Sequence, residues 1–146
     1  MIIWKFIATF CFVGRIPIAP GTWSSLTSLI LWSFIPISLL FQITIIFILF
    51  ILGIISSKIV SEQIGAHDPS EIVIDEVLGM CISLFMLPHN IFIYALAFLL
   101  FRFFDILKPS FIYQIQTLPK GWGIMLDDIF AGLFTWLICI GITTIL

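Results

Sequence analysis

Apolar residues fill this chain in long blocks, and the polar positions gather at the breaks between them. Residues 1–13 are apolar, but as a helix they reach only roughly 20 Å, short of a bilayer core. They read as an interfacial or half-inserted helix. The stretch 14–22 holds two glycines and two prolines, the composition of a loop, with Thr22 placed to cap the next helix. Residues 23–35 form a helical block that Pro36 ends. A longer apolar block starts at Leu39, turns more polar through Lys58, Glu62 and Gln63, and stops at Gly65, a residue suited to a left-handed cap. Asp68-Pro69 with Glu71 has the form of a capped helix start, so the pattern predicts a helix over 68–87. Residues 88–90 turn the chain, and 91–107 form the next helix, stopped by Pro109. A short amphipathic segment over 110–118 and a loop over 119–123 precede a last helix that starts near Ile124 and carries Asp127 and Asp128 in its first turn.

Composition turns this pattern into a membrane reading. Of 146 residues 62% are hydrophobic and 10% charged, and mean hydropathy is +1.28, whereas soluble domains carry roughly 45–50% and about 25%. The expectation is one domain over 1–146: an all-α, integral membrane bundle of about five membrane helices with short interfacial helices. No basic run is available for nucleic acid. Cys11, Cys81 and Cys139 each sit in an apolar run, without a CxxC or a pairing pattern. A removable signal peptide is not expected, since 1–13 has no small-residue cleavage site.

Charge placement adds the orientation. Apart from Lys5, the charges fall at Arg15, over 58–76 and over 102–128, while the turns at 36–42 and 88–90 carry none. Alternating helices put the charged stretches at one face, and their Lys and Arg make that face cytoplasmic.

The chemistry concentrates there. Four of the eight acids, Asp68, Glu71, Asp75 and Glu76, fall within nine residues. Acids cost about 2.5–3.5 kcal/mol each near a membrane centre, so a chain so poor in charge needs a use for them. On the expected helix, Asp68, Glu71, Asp75 and Gly79 share a stripe. Asp68 and Glu71 have a plain alternative as a capping box; Asp75 and Glu76 lie too deep in that helix to be caps. Asp127 and Asp128 offer one reading as macrodipole partners and another as ligands. Arg102, Asp105 and Lys108 form either an ion-paired helix end or, beside so many acids, a phosphate clamp. Gly79 and Gly132 let helices or a ligand approach below the acids. Carboxylates at one membrane depth suit Mg²⁺, which takes one or two of them with phosphate oxygens and water. His67 and His89 are lone histidines with structural readings, and Ser24 and Ser25 have no marked base.

Taken in order, these motifs resemble the phosphatidylglycerophosphatase A family: 18–22 (Ile-Ala-Pro-Gly-Thr) with Ser25 and Leu26; His67-Asp68, Ile72-Val73, Asp75-Glu76 and Gly79-Met80; Phe101-Arg102, Asp105 and Lys108-Pro109; Gly121, 123–125 (Gly-Ile-Met), Asp127-Asp128 and Ala131-Gly132. The resemblance implies a Mg²⁺-dependent enzyme of the bacterial cytoplasmic (inner) membrane that releases the terminal phosphate of phosphatidylglycerophosphate, and a fold with a central helix surrounded by others. It implies Asp75, Glu76, Asp105, Asp127 and Asp128 as catalytic positions, with Asp75, Glu76 and Asp128 on the metal. Thr22, Arg102 and Lys108 are implied for the substrate, with Asp68 and Glu71 as further candidates. Ser24, Phe111 and Ile112 depart from the family's usual loops. The rivals are another lipid-headgroup phosphatase and a non-enzymatic small transporter or subunit, which would carry mid-membrane charge or a repeat.

Overall fold

A computed structural model describes residues 1–115, 117, 118 and 121–145, side chains of 111–113 aside. Among them the chain is helical, with no strand. The elements are α1 (Ile2–Ala8), a 3₁₀ turn (Val13–Arg15), α2 (Pro20–Trp32), α3 (Leu39–Ile64), α4 (Ile74–Ser83), α5 (Ile91–Leu107), α6 (Ser110–Ile115) and α7 (Trp122–Ile145). Residues 119 and 120 of the expected loop lie outside the described residues.

The central element is α4. It packs most extensively against α7 and also touches α2, α3 and α5. Eight of its ten residues are buried. Small residues permit this. A methyl carbon built on Gly132 would stand 2.5 Å from the Gly79 carbonyl oxygen, and one on Gly79 would stand 2.7 Å from that of Asp128. The α4 and α7 backbones therefore touch at this crossing. On the other side α2 presents buried Ser24, Ser25 and Ser28, and Ser28 Oγ donates to the Val77 carbonyl at 3.2 Å. Close packing through small residues is the way helices associate where lipid removes most of the gain from apolar burial.

Among the described residues two helices, Leu39–Ile64 and Trp122–Ile145, are long and apolar enough to cross a membrane. Only 17% and 28% of their apolar windows are buried, so neither is mostly enclosed by the rest of the fold. Leu40, Phe47, Leu137 and Ile145 face outward, as do Phe34 and Phe92 elsewhere. The expectation of about five spans is not met. α4 is ten residues, about 15 Å, and α5 at seventeen reaches about 26 Å, short of a core of roughly 30 Å.

The reason for the shortfall is local. Residues 66–73 are not helical; the Ile72 N–H closes a turn onto Pro69 O at 2.9 Å, and the Val73 N–H is taken by Ala8 O at 2.9 Å. The helix expected over 68–87 thus begins at Ile74 with Val73, not Asp68, at its N-cap position, and the shared stripe of Asp68, Glu71, Asp75 and Gly79 does not form. It also stops early, at Ser83, because Met86 takes a left-handed φ of 56° and gives its N–H to Gln42 Oε1 at 2.8 Å. α2 starts two residues ahead of Thr22, with Pro20 at its first position and Ala19 as an N-cap at φ 50°, so Thr22 is inside the helix and not its cap. α1 ends at Ala8, and Phe10, Cys11 and Phe12 follow with φ of 45°, 56° and 68°. Gly65 does end α3 in the left-handed region, and α5 spans the expected residues, with Asn90 Oδ1 accepting from Phe92 N–H at 2.8 Å.

The two neutral turns meet at one end. Gln42 bonds both Met86 N–H and Pro36 O, and Trp136 Nε1 donates to Phe85 O at 2.8 Å. The other end gathers the charges.

Candidate active site

Four helix ends converge at the charged end: the starts of α2, α4 and α7 and the last turns of α5. α4 brings Asp75 and Glu76 as its second and third residues. They stand in its first turn, so they are not the deep residues the expected helix implied. Position alone would permit a macrodipole role. Their surroundings show more than that. Asp75 Oδ1, Glu76 Oε2 and Asp128 Oδ2 are all buried without a hydrogen-bond partner. Buried polar atoms are almost always partnered, so three orphan oxygens in one place fit a site for a donor or a cation. Asp75, Glu76 and Asp128 each offer a ligand oxygen within 4.8 Å of the others.

Asp127 and Asp128 sit two residues further into α7 than expected, as its sixth and seventh residues, past the first turn. The first-turn dipole reading therefore loses its geometric basis. Asp127 Oδ2 accepts from Lys108 Nζ at 2.7 Å, and Asp127 Oδ1 accepts from the Asp128 N–H at 3.0 Å. Lys108 stands just past α5, left-handed at φ 39°, which turns its side chain toward α7. On α5, Arg102 Nη1 pairs with Asp105 Oδ2. The ion-paired helix end is thus present, and the clamp remains available through Arg102 Nε, which is buried and without a partner.

The electrostatics follow from burial. Burial lifts the Asp75 carboxyl well above its ordinary range, and the neighbouring Glu76 and Asp128 push the same way. Burial also raises Glu76 to about 7, with the bond from Asp75 opposing and Asp105 adding. Burial alone would lower Lys108, but the bond and charge of Asp127 outweigh it and hold the ammonium above its ordinary value. A divalent cation would relieve the mutual repulsion of the acids.

Gly21 is the residue that sequence reasoning missed. A methyl carbon there would collide with Glu76 Oε1 and stand 3.3 Å from Arg102 Nη1. The start of α2 therefore closes over the site, and Thr22 is its next residue. The signal was the Pro20-Gly21 pair, a helix start followed by a residue without bulk. Ser24 and Ser25 donate to the Gly21 carbonyl at 2.8 and 2.7 Å, which is a structural role. Of the other candidates, Asp68 is exposed and within electrostatic range of Asp127. Glu71 pairs loosely with Arg15 at 3.8 Å and is not one of the three clustered acids. His67 is exposed, and His89 packs on Tyr94 at the neutral end.

A family model for phosphatidylglycerophosphatase A matches residues 6–143. A phosphatidylglycerophosphatase A of Haemophilus influenzae is 40% identical over 133 residues, covering 88% of this chain and 82% of the relative. One of Escherichia coli is 34% identical over 137 residues, covering 90% and 78%. A putative phosphatidylinositol-3-phosphatase of Bacteroides thetaiotaomicron is 34% identical over 133 residues, covering 86% and 84%. No solved structure matches the chain.

Proposed function

The chain belongs to the phosphatidylglycerophosphatase A family, and from that premise we propose how its buried acids serve a lipid phosphatase of phosphatidylglycerol synthesis. The observation that carries the reading is the cluster Asp75, Glu76 and Asp128, three orphan carboxylate oxygens beside Arg102. The donor set is all oxygen, which suits a hard cation such as Mg²⁺. Asp75, Glu76 and Asp128 would hold that ion, which when bound neutralises phosphoryl charge and lowers the pKa of a ligated water.

The chain's own residues supply the rest. Arg102 donates through Nε to the phosphoryl oxygens, where transition-state charge resides, and Asp105 holds its other end. Lys108, fixed by Asp127, adds a second cation. A water oxygen attacks phosphorus, a carboxylate of the cluster takes its proton, and the bond to the headgroup oxygen breaks. Water protonates the departing alkoxide, leaving a lipid alcohol and inorganic phosphate. The apolar flanks of α3 and α7 sit in the bilayer of the bacterial inner membrane, and the charged end faces the cytoplasm.

The test is phosphate release from phosphatidylglycerophosphate by purified protein in detergent. Release with Mg²⁺ and none with chelator is expected; equal rates in both would remove the metal. The name of the Bacteroides relative favours a second reading, a phosphoinositide monoester, so phosphatidylinositol 3-phosphate belongs in the same assay as a competitor.

A further inference from the structure

Lys5 stands apart from the charged stretches in the sequence, yet the fold does not leave it there. Lys5 and Arg15 line one cavity of about 550 Å³ together with Pro20, Ser70 and Glu71. Arg15 is half-exposed; its guanidinium lies over the Phe12 ring at 4.8 Å and pairs only loosely with Glu71 at 3.8 Å, which leaves its N–H donors able to take another anion. Pro20 is the first residue of α2, and the next residue, Gly21, lies against Glu76 and Arg102. The cavity and the acid cluster therefore flank the same turn of α2.

Phosphatidylglycerophosphate carries two phosphates, a terminal monoester and, across a three-carbon glycerol, the diester that joins it to diacylglycerol. We propose that the cavity is the subsite for that diester, bound by Lys5 and Arg15 while the monoester lies at Asp75, Glu76 and Asp128. The inference rests on the phosphatase reading above and adds its source of selectivity. Phosphatidic acid has only a monoester, leaves this cavity without its anion, and is the poorer substrate. Glu71 competes with the lipid for Arg15.

The experiment measures kcat/KM for phosphatidylglycerophosphate and for phosphatidic acid in neutral detergent micelles, for wild type, Lys5→Ala, Arg15→Ala and Glu71→Gln. A partly folded preparation lowers both values alike, so their ratio reads selectivity. Each alanine variant should lower the ratio of two-phosphate lipid to phosphatidic acid about tenfold, the worth of a charge-assisted bond. Glu71→Gln should lower KM for the two-phosphate lipid by about threefold. An unchanged ratio in both alanine variants overturns the subsite. So does a loss seen only in micelles doped with phosphatidylglycerol, which would assign the cavity to bulk anionic lipid. Wild type that releases phosphate from neither lipid would refute the phosphatase reading itself, a distinguishable result.

Discussion

Glu76 holds the sharpest conflict between stability and use. Its carboxyl is raised from an ordinary 4.5 to about 7, chiefly by burial. An acid raised on folding contributes stability that is fully present below the unfolded value and is lost as pH rises through the folded one. In chelator, Glu76→Gln should therefore melt above the wild type at pH 8, with the difference vanishing below pH 4.5; a wild type that melts higher at pH 8 would contradict this. The same substitution, like Asp75→Asn and Asp128→Asn, should reduce kcat/KM by about 100-fold or more in the phosphate-release assay, because each removes charge from the cluster. Arg102→Lys, which keeps the charge but not the planar donor set, should still lose roughly tenfold or more.

At the scale of elements, the contact between α4 and α7 depends on Gly79 and Gly132. Gly132→Val must drive a side chain into the Gly79 backbone, where overpacking costs roughly 1–3 kcal/mol or more. Gly141, with nothing within 4 Å of an added methyl, is the control, and Gly141→Ala should melt like the wild type. Gly21→Ala should separate the two effects: its methyl meets Glu76 and Arg102, so activity falls more than thermal stability. Periodicity could not show why these helices start where they do. The sequence 68–71 has the residues of a capping box, but Val73 N–H is recruited by Ala8, 65 positions earlier in the chain. That tertiary bond overrides the local preference and moves Asp75 and Glu76 from mid-helix to the first turn.

For the whole molecule, one end collects the charge and the other the neutral turns. The turn before α3 and the turn before α5 are joined through Gln42 and Met86, as the charge sorting implied. With single cysteines at positions 67 and 89 in a cysteine-free background, a membrane-impermeant thiol reagent should label position 67 from the cytoplasmic side and not position 89. Labelling of both from one side would reject the orientation. Membrane length was the poorer inference: counting apolar blocks suggested about five spans, whereas among the described residues two helices have the length.

The sequence by itself determined the helical class, the apolar exterior, the family and the roster of acids and cations, because these depend on composition, on spacing and on which residues are present. It also placed Gly65, Asn90 and the bounds of α5, where local backbone chemistry decides. Only the tertiary structure decided which carboxylates are left without partners, that Lys108 already holds Asp127, that Gly21 closes over Glu76, and that Lys5 and Arg15 share a cavity with Glu71. Those are contacts between residues far apart in the chain, set by how closely helices pack, and no local pattern encodes them.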